Sequence, residues 1–214
     1  MSEPSYLSAV RESYDTVAED YAKLVPPLFA EDPLGRAMLA AFAELVRADG
    51  RRAVADLGCG PGHVTAHLDS LGVSVFGVDL APKMVEIARR TYPKLRFEVG
   101  SMTALDFPDG ELGGIVAWWS IIHLPREVLP AVFAEFHRTL APGGNLLVGF
   151  HVGHEQRRPE RAYGHPVSYD SYRWPPDQVA GLLSRAGMVV AARLVQEPDE
   201  ELKPPQACLL ARKP

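Results

Sequence analysis

The run Ala53-Val-Ala-Asp-Leu-Gly-Cys-Gly-Pro-Gly62 limits what this chain can fold into more than any other segment does. A short apolar stretch bounded by glycines reads as a buried strand, and the glycines open backbone conformations closed to other residues. Helical spacing resumes over residues 63–71. A strand that turns through glycines into a helix leaves free N–H groups beside a concavity, where a ligand can approach the main chain. A second apolar strand, Val73-Ser-Val-Phe-Gly-Val-Asp79, ends on a carboxylate. Asp79 lies about 20 residues past the loop, the spacing at which an acidic side chain can hold the two hydroxyls of a ribose.

The rest of the chain repeats this alternation. Pro82 opens a helix that runs to Arg90, and Leu95–Val99 and Gly114–Trp118 read as strands. A helical stripe over residues 126–140 requires Pro130 to sit in the first turn, and Pro142-Gly-Gly144 turns the chain into the strand Asn145–Phe150. Helix 176–186 precedes two strands, Met188–Gln196 and Gln206–Arg212, joined by the loop Glu197–Pro205. The expected fold is α/β and doubly wound. It has a mostly parallel seven-stranded sheet and a C-terminal antiparallel hairpin. Two amphipathic helices precede it. The first, roughly residues 4–24, carries Tyr6, Tyr14, Val17, Tyr21 and Leu24. The second, 34–48, carries Met38, Leu39, Phe42, Leu45 and Val46, and Pro26 and Pro27 separate the two. Residues 1–50 are expected to form a helical lid and 51–214 the core, in one domain overall.

Charge and composition narrow the function. A formal net charge of −5 over 214 residues argues against a nucleic-acid footprint, which calls for a basic face. No apolar run reaches the roughly 20 residues of a membrane span. The N-terminal residues lack the pattern of a secretory signal, and Cys59 and Cys208 are too few for a disulfide framework. The expectation is a cytoplasmic protein without membrane or nucleic-acid partners.

Taken together, Asp56-Leu-Gly-Cys-Gly-Pro-Gly62, Val75-Phe-Gly-Val-Asp79, the strand into Gly100-Ser-Met102 and His137-Arg-Thr-Leu-Ala-Pro-Gly-Gly144 resemble the successive motifs of class I S-adenosylmethionine-dependent methyltransferases. Tyr14-Asp-Thr-Val-Ala-Glu-Asp-Tyr21 is similar to the Y-D-x-x-A-x-x-Y segment of small-molecule members. The resemblance implies a Rossmann-like fold and S-adenosyl-L-methionine as cofactor, with S-adenosyl-L-homocysteine as product. It further implies that Asp56, Gly58 and Gly60 hold the methionine end and that Asp79 binds the ribose. Leu80 and Met84 would lie beside the adenosine, Ser101 and Met102 beside the adenine, Trp118 near the amino group, and Tyr14 and Tyr21 over the pocket from the lid. Strand four departs from many members, with Leu112-Gly-Gly114 where an acidic residue is common. The runs that mark nucleic-acid amino methylation, and the acidic strand ends of metal-dependent catechol methyltransferases, are absent.

The acceptor side is less determined. His123, after strand four, reads equally as a general base and as a histidine with a structural hydrogen bond; His151 is the other candidate base. His151, His154 and His165 match no tight metal spacing, so no metal site is expected. The segment 151–174 is long and rich in Tyr, His and Arg. Tyr163, Tyr169, Tyr172 and Trp174 are expected to wall a pocket there, with the acceptor held between this segment and the N-terminal helices. Arg157, Arg158 and Arg161 read as a solvated charge run, or alternatively as a clamp for an acidic acceptor. Trp118 and Trp119 are expected to face opposite sides of their strand. The function expected is methyl transfer to a small-molecule or peptide acceptor, at oxygen (hydroxyl or carboxyl) ahead of nitrogen or carbon. A non-catalytic binding module and an NAD-dependent oxidoreductase are the rival readings. His63, where a dinucleotide fingerprint places its third glycine, disfavours the oxidoreductase.

Overall fold

The computed structural model describes residues 3–48, 52–198 and 205–214. Two helices come first, α1 (Ser5–Ala30) and α2 (Pro33–Ala48). The alternating part follows as β1 (Val54–Leu57), α3 (His63–Ser70), β2 (Val75–Asp79), α4 (Pro82–Thr91), β3 (Phe97–Val99) and β4 (Leu112–Trp118). A 3-10 turn at Ile121–His123 leads to α5 (Leu129–Thr139) and β5 (Leu140–His151). Four two-residue strands come next: β6 (Gln156–Arg157), β7 (Arg161–Ala162), β8 (His165–Pro166) and β9 (Ser171–Tyr172). The chain closes with α6 (Pro176–Arg185), β10 (Val189–Gln196) and β11 (Gln206–Arg212).

The main sheet has seven strands in the order β10-β11-β5-β4-β1-β2-β3. β11 runs antiparallel to both β5 and β10, and the other pairings are parallel. This is the doubly wound, Rossmann-like architecture expected, with its C-terminal hairpin. Alternating strand residues feed two core layers. Leu39, Phe42 and Val46 of α2 and Leu68 of α3 pack with Val54, Val116 and Leu147 on one face. On the other, Phe133 and Phe136 of α5 and Val179 and Leu183 of α6 pack with Ala55, Ile115 and Leu146. The strand order reverses between β1 and β4, so a crevice opens beyond their carboxyl ends.

Several boundaries differ from the sequence reading. Pro26 and Pro27 do not end the first helix, which continues to Ala30. Tertiary contact overrides their cost: Phe29 in the last turn packs edge-on against His63 and His67, at 5.3 and 5.4 Å between ring centres. Leu24 and Leu45, expected on buried faces, are exposed. The buried stripe of α2 runs instead through Leu39, Phe42, Ala43 and Val46, and Leu45 falls beside it. β5 begins at Leu140 and carries Pro142-Gly-Gly144 within it, while β3 begins only at Phe97. Pro130 does lie in the first turn of α5. Because α2 buries its apolar face on the sheet, it packs as a core layer, and α1 alone lies across the crevice. The expected boundary at 50/51 and most of the loop 197–205 lie outside the described residues.

Candidate active site

The crevice is built first from backbone. Gly58 and Gly60 sit at φ +77° and +54°, and the Gly58 N–H donates to the Val78 carbonyl at 2.7 Å. A Cβ on Gly58 would lie 2.4 Å from Cβ of Ser120, so no side chain fits there. The Ser120 hydroxyl in turn donates to the Leu57 carbonyl at 2.7 Å, tying the end of β4 to the end of β1.

Two carboxylates stand at this loop. Asp79 accepts the Gly60 N–H at 2.7 Å and the Ala81 N–H at 2.8 Å, so both its oxygens are engaged by main chain. Asp56 is fully buried; one oxygen accepts the Thr65 hydroxyl at 2.6 Å, and the other has no hydrogen-bond partner. Burial raises the Asp56 carboxyl to about 7 and the Asp79 carboxyl to about 6; the Asp79 charge adds to the rise at Asp56, and the Asp15 charge to that at Asp79. The pocket is therefore poised for a cationic group.

Main-cavity lining includes Tyr14, Tyr21, Gly58, Gly60, Asp79 and Leu80, and also Ser101, Met102, Trp118 and His123. Asp56 lines a smaller cavity next to it, with Tyr21, Gly58, Cys59, His63 and Trp118. Of the residues expected around the cofactor, only Met84 lies elsewhere. It is buried with Ala18, Ala81 and Ile87 where α1 rests on α4, so it supports the wall from behind. α1 is fixed over the crevice from both sides. Asp15 accepts the Lys83 N–H at the head of α4, and Ser13 accepts the Ser168 N–H. Tyr14 stacks on Tyr169 at 5.6 Å, and Tyr21 meets Tyr163 edge-on at 4.9 Å.

Against this geometry, residues 54–144 match the family model of a methyltransferase domain. That stretch is similar to methyltransferase domains. Demethylmenaquinone methyltransferase of Chlorobaculum parvum is 31% identical over 140 residues, 64% of this chain and 57% of that protein. N-demethylindolmycin N-methyltransferase of Streptomyces griseus is 30% identical over 138 residues, 61% of this chain and 58% of that one. The chain thus spans little more than half the length of these relatives. Among solved structures, 1,6-didemethyltoxoflavin-N1-methyltransferase of Burkholderia thailandensis superposes with a TM-score of 0.73 at 21% identity, covering 100% of this chain and 91% of the other. That likeness is one of fold.

The crevice places the two candidate bases differently. His123 lines the main cavity; its Nδ1 lies 3.3 Å from the Asp170 carbonyl and its Nε2 2.7 Å from the Tyr14 hydroxyl. A carbonyl only accepts, so Nδ1 carries the proton and Nε2 accepts from Tyr14. Burial lowers the imidazole to about 4, leaving it neutral at physiological pH. His151 sits one layer back, stacked on Trp119 at 5.1 Å, and lines none of these cavities.

Residues 151–174 depart most from the sequence reading. None of them lines the main cavity. Tyr163 and Tyr169 roof α1, whereas Tyr172 and Trp174 are core residues rather than pocket walls. Arg158 pairs with Asp170 through two bonds of 2.7 Å, so it is no free anion clamp. His165 pairs with Asp20 at 2.8 Å, and among the described residues no three His, Cys, Asp or Glu side chains converge as metal ligands. Trp118 and Trp119 do not face opposite sides. β4 ends at Trp118, and Trp119 adopts φ +54°, which brings the two indoles edge to face at 5.6 Å. The sequence reading missed Thr65, Ser120 and Asp15. Only the H-x-T spacing after the glycine loop gave any hint of the first.

Proposed function

We propose that this protein transfers a methyl group from S-adenosyl-L-methionine to a small-molecule acceptor. The observation that carries the reading is the unpartnered, fully buried Asp56 oxygen beside a second, half-buried carboxylate. A ligand bearing positive charge relieves that unfavourable field, whereas the pyrophosphate of NAD would add to it. Asp56 would hold the ammonium end and Asp79 the ribose, with Leu80, Ser101 and Met102 around the purine. When bound, the cofactor supplies an already activated methyl group. The chain's own task is to align the acceptor and exclude water, and α1 with its Tyr163–Tyr169 roof covers the crevice for that purpose.

For an oxygen acceptor with a hydroxyl, the first choice, a proton must leave. His123 would take it by way of Tyr14, whose hydroxyl donates to Nε2 while the Nδ1 proton is committed to Asp170. His151 would act only by holding Trp119. No helix among the described residues is long and apolar enough to cross a membrane, and both cysteines are free and buried; a cytoplasmic setting belongs to the same proposal. Calorimetric titration with S-adenosylhomocysteine and with NAD tests the reading. Binding of the first and not the second is expected; tighter binding of NAD would overturn it.

A further inference from the structure

Resting on that reading, we propose that the acceptor is an elongated aromatic molecule with a cationic end, seated in a groove between the α1–α2 corner and the Gln196–Gln206 end of the β10–β11 hairpin. The acceptor's reactive end would reach past Trp118 and Trp119 into the main cavity, where His123 stands. The groove holds about 690 Å³, within the range of small-molecule sites. It abuts the donor site across two indoles. Trp118 and Trp119 line the main cavity, the small cavity at Asp56, and the groove itself.

Three observations set the chemistry of the occupant. The first is the aromatic floor. Trp119 holds a left-handed backbone that a tryptophan rarely adopts, pinned by its N–H on the Gly149 carbonyl at 3.1 Å and by His151 stacked on the indole. With Phe29, Leu28 and Leu34 it offers flat apolar surface, and the two leucines are 58% and 49% exposed. The second is charge. Glu31, Asp32 and Glu197 line the groove, and its lining contains no lysine or arginine among the described residues. The Arg36 side chain donates to the Asp32 carbonyl at 3.4 Å, and Arg193 pairs with Asp177. The third is His63, which lines both the groove and the small cavity. Its Nδ1 is buried without a hydrogen-bond partner, as is the Asp56 oxygen beyond it. Buried polar atoms left open along one path call for ligand groups to meet them. The acidic lining disfavours a carboxylate-bearing acceptor, so within this proposal a neutral hydroxyl or amine nucleophile takes precedence over the carboxyl branch of the oxygen reading.

Tryptamine and indole-3-acetate test this, because they share a ring and differ in the sign of the tail. Each is titrated calorimetrically into the full chain, with and without saturating S-adenosylhomocysteine. Tryptamine should bind at least about tenfold more tightly than the acid. Asp32→Asn keeps the oxygen that accepts the Gly35 N–H and should weaken tryptamine about fivefold without moving S-adenosylhomocysteine affinity. Val195→Lys, on the exposed edge strand of the groove, should narrow or reverse the preference. Equal or tighter binding of indole-3-acetate, binding of neither probe, or a preference indifferent to both variants would overturn the groove. Failure of S-adenosylhomocysteine to bind would sink the donor reading instead, and the amine-to-acid ratio without it still judges the groove.

Discussion

The two halves of the crevice are made by different means. On the β1–β2 side, the site is main chain and near neighbours: Gly58, Gly60 and Ala81 N–H groups, with Asp79 receiving two of them. On the β4–β5 side it is assembled from side chains far apart in sequence, Tyr14 with His123, Asp20 with His165, and Ser13 with the backbone of Ser168. A pocket made from backbone has little freedom to change its ligand. One made from side chains on loops and a docked helix can be altered residue by residue while the donor half stays fixed.

The sharpest way to break this contrast is Gly58→Val. Its side chain meets Ser120 in a backbone conformation valine avoids, so donor binding should be lost outright while Ser101→Ala leaves most of it. Measurable S-adenosylhomocysteine affinity in the valine variant would show that the loop is not rigid. On the other half, His123→Phe should reduce single-turnover methyl transfer by about a hundredfold or more with donor affinity nearly unchanged. A normal rate would mean that proximity alone suffices.

Asp79→Ala should weaken S-adenosylhomocysteine by about 1–3 kcal/mol, a figure read by calorimetry. An unaltered Kd would remove Asp79 from the ribose position. The smallest effect concerns stability and pH. The Asp56 carboxyl is raised from 3.8 to about 7 in the fold, so its proton-linked stabilisation is complete below about 3.8 and is lost as pH rises through 7. His63, His123 and His151, lowered from 6.5 to about 4, act in the other direction and lose stability as pH falls. Asp56→Asn should therefore stabilise the ligand-free protein more at pH 8 than at pH 5, read as a larger rise in Tm at the higher pH, while weakening donor binding. A gain equal at both pH values would show that the buried carboxylate carries no such strain.

The same division explains what could be read from the sequence. The order of strands and helices, the hairpin, the glycine loop and Asp79 all follow from contiguous patterns, and the structure has them where periodicity and turn chemistry put them. The roles of residues 151–174 were not legible in that way. Nothing local distinguishes Tyr169, which stacks on α1, from Trp174, which is fully buried in the core over Arg126. Trp119 was misplaced because alternation along β4 was carried one residue too far, past the end of the strand. The extension of α1 through Pro26 and Pro27 depended on Phe29 meeting two histidines that arrive from α3.

Those two prolines have a mechanical consequence. Each lacks the N–H that would reach back four residues, so the Ala22 and Lys23 carbonyls lose their rungs at adjacent positions. α1 is thus two stiff rods with a soft coupling between them. The first rod carries Tyr14 and Tyr21 and is bolted to α4 and the tyrosine roof; the second carries Leu28 and Phe29 along the edge of the groove. Bending at the coupling swings the second rod without unbolting the first, so one side of the crevice can admit and release molecules while the other keeps its cover closed.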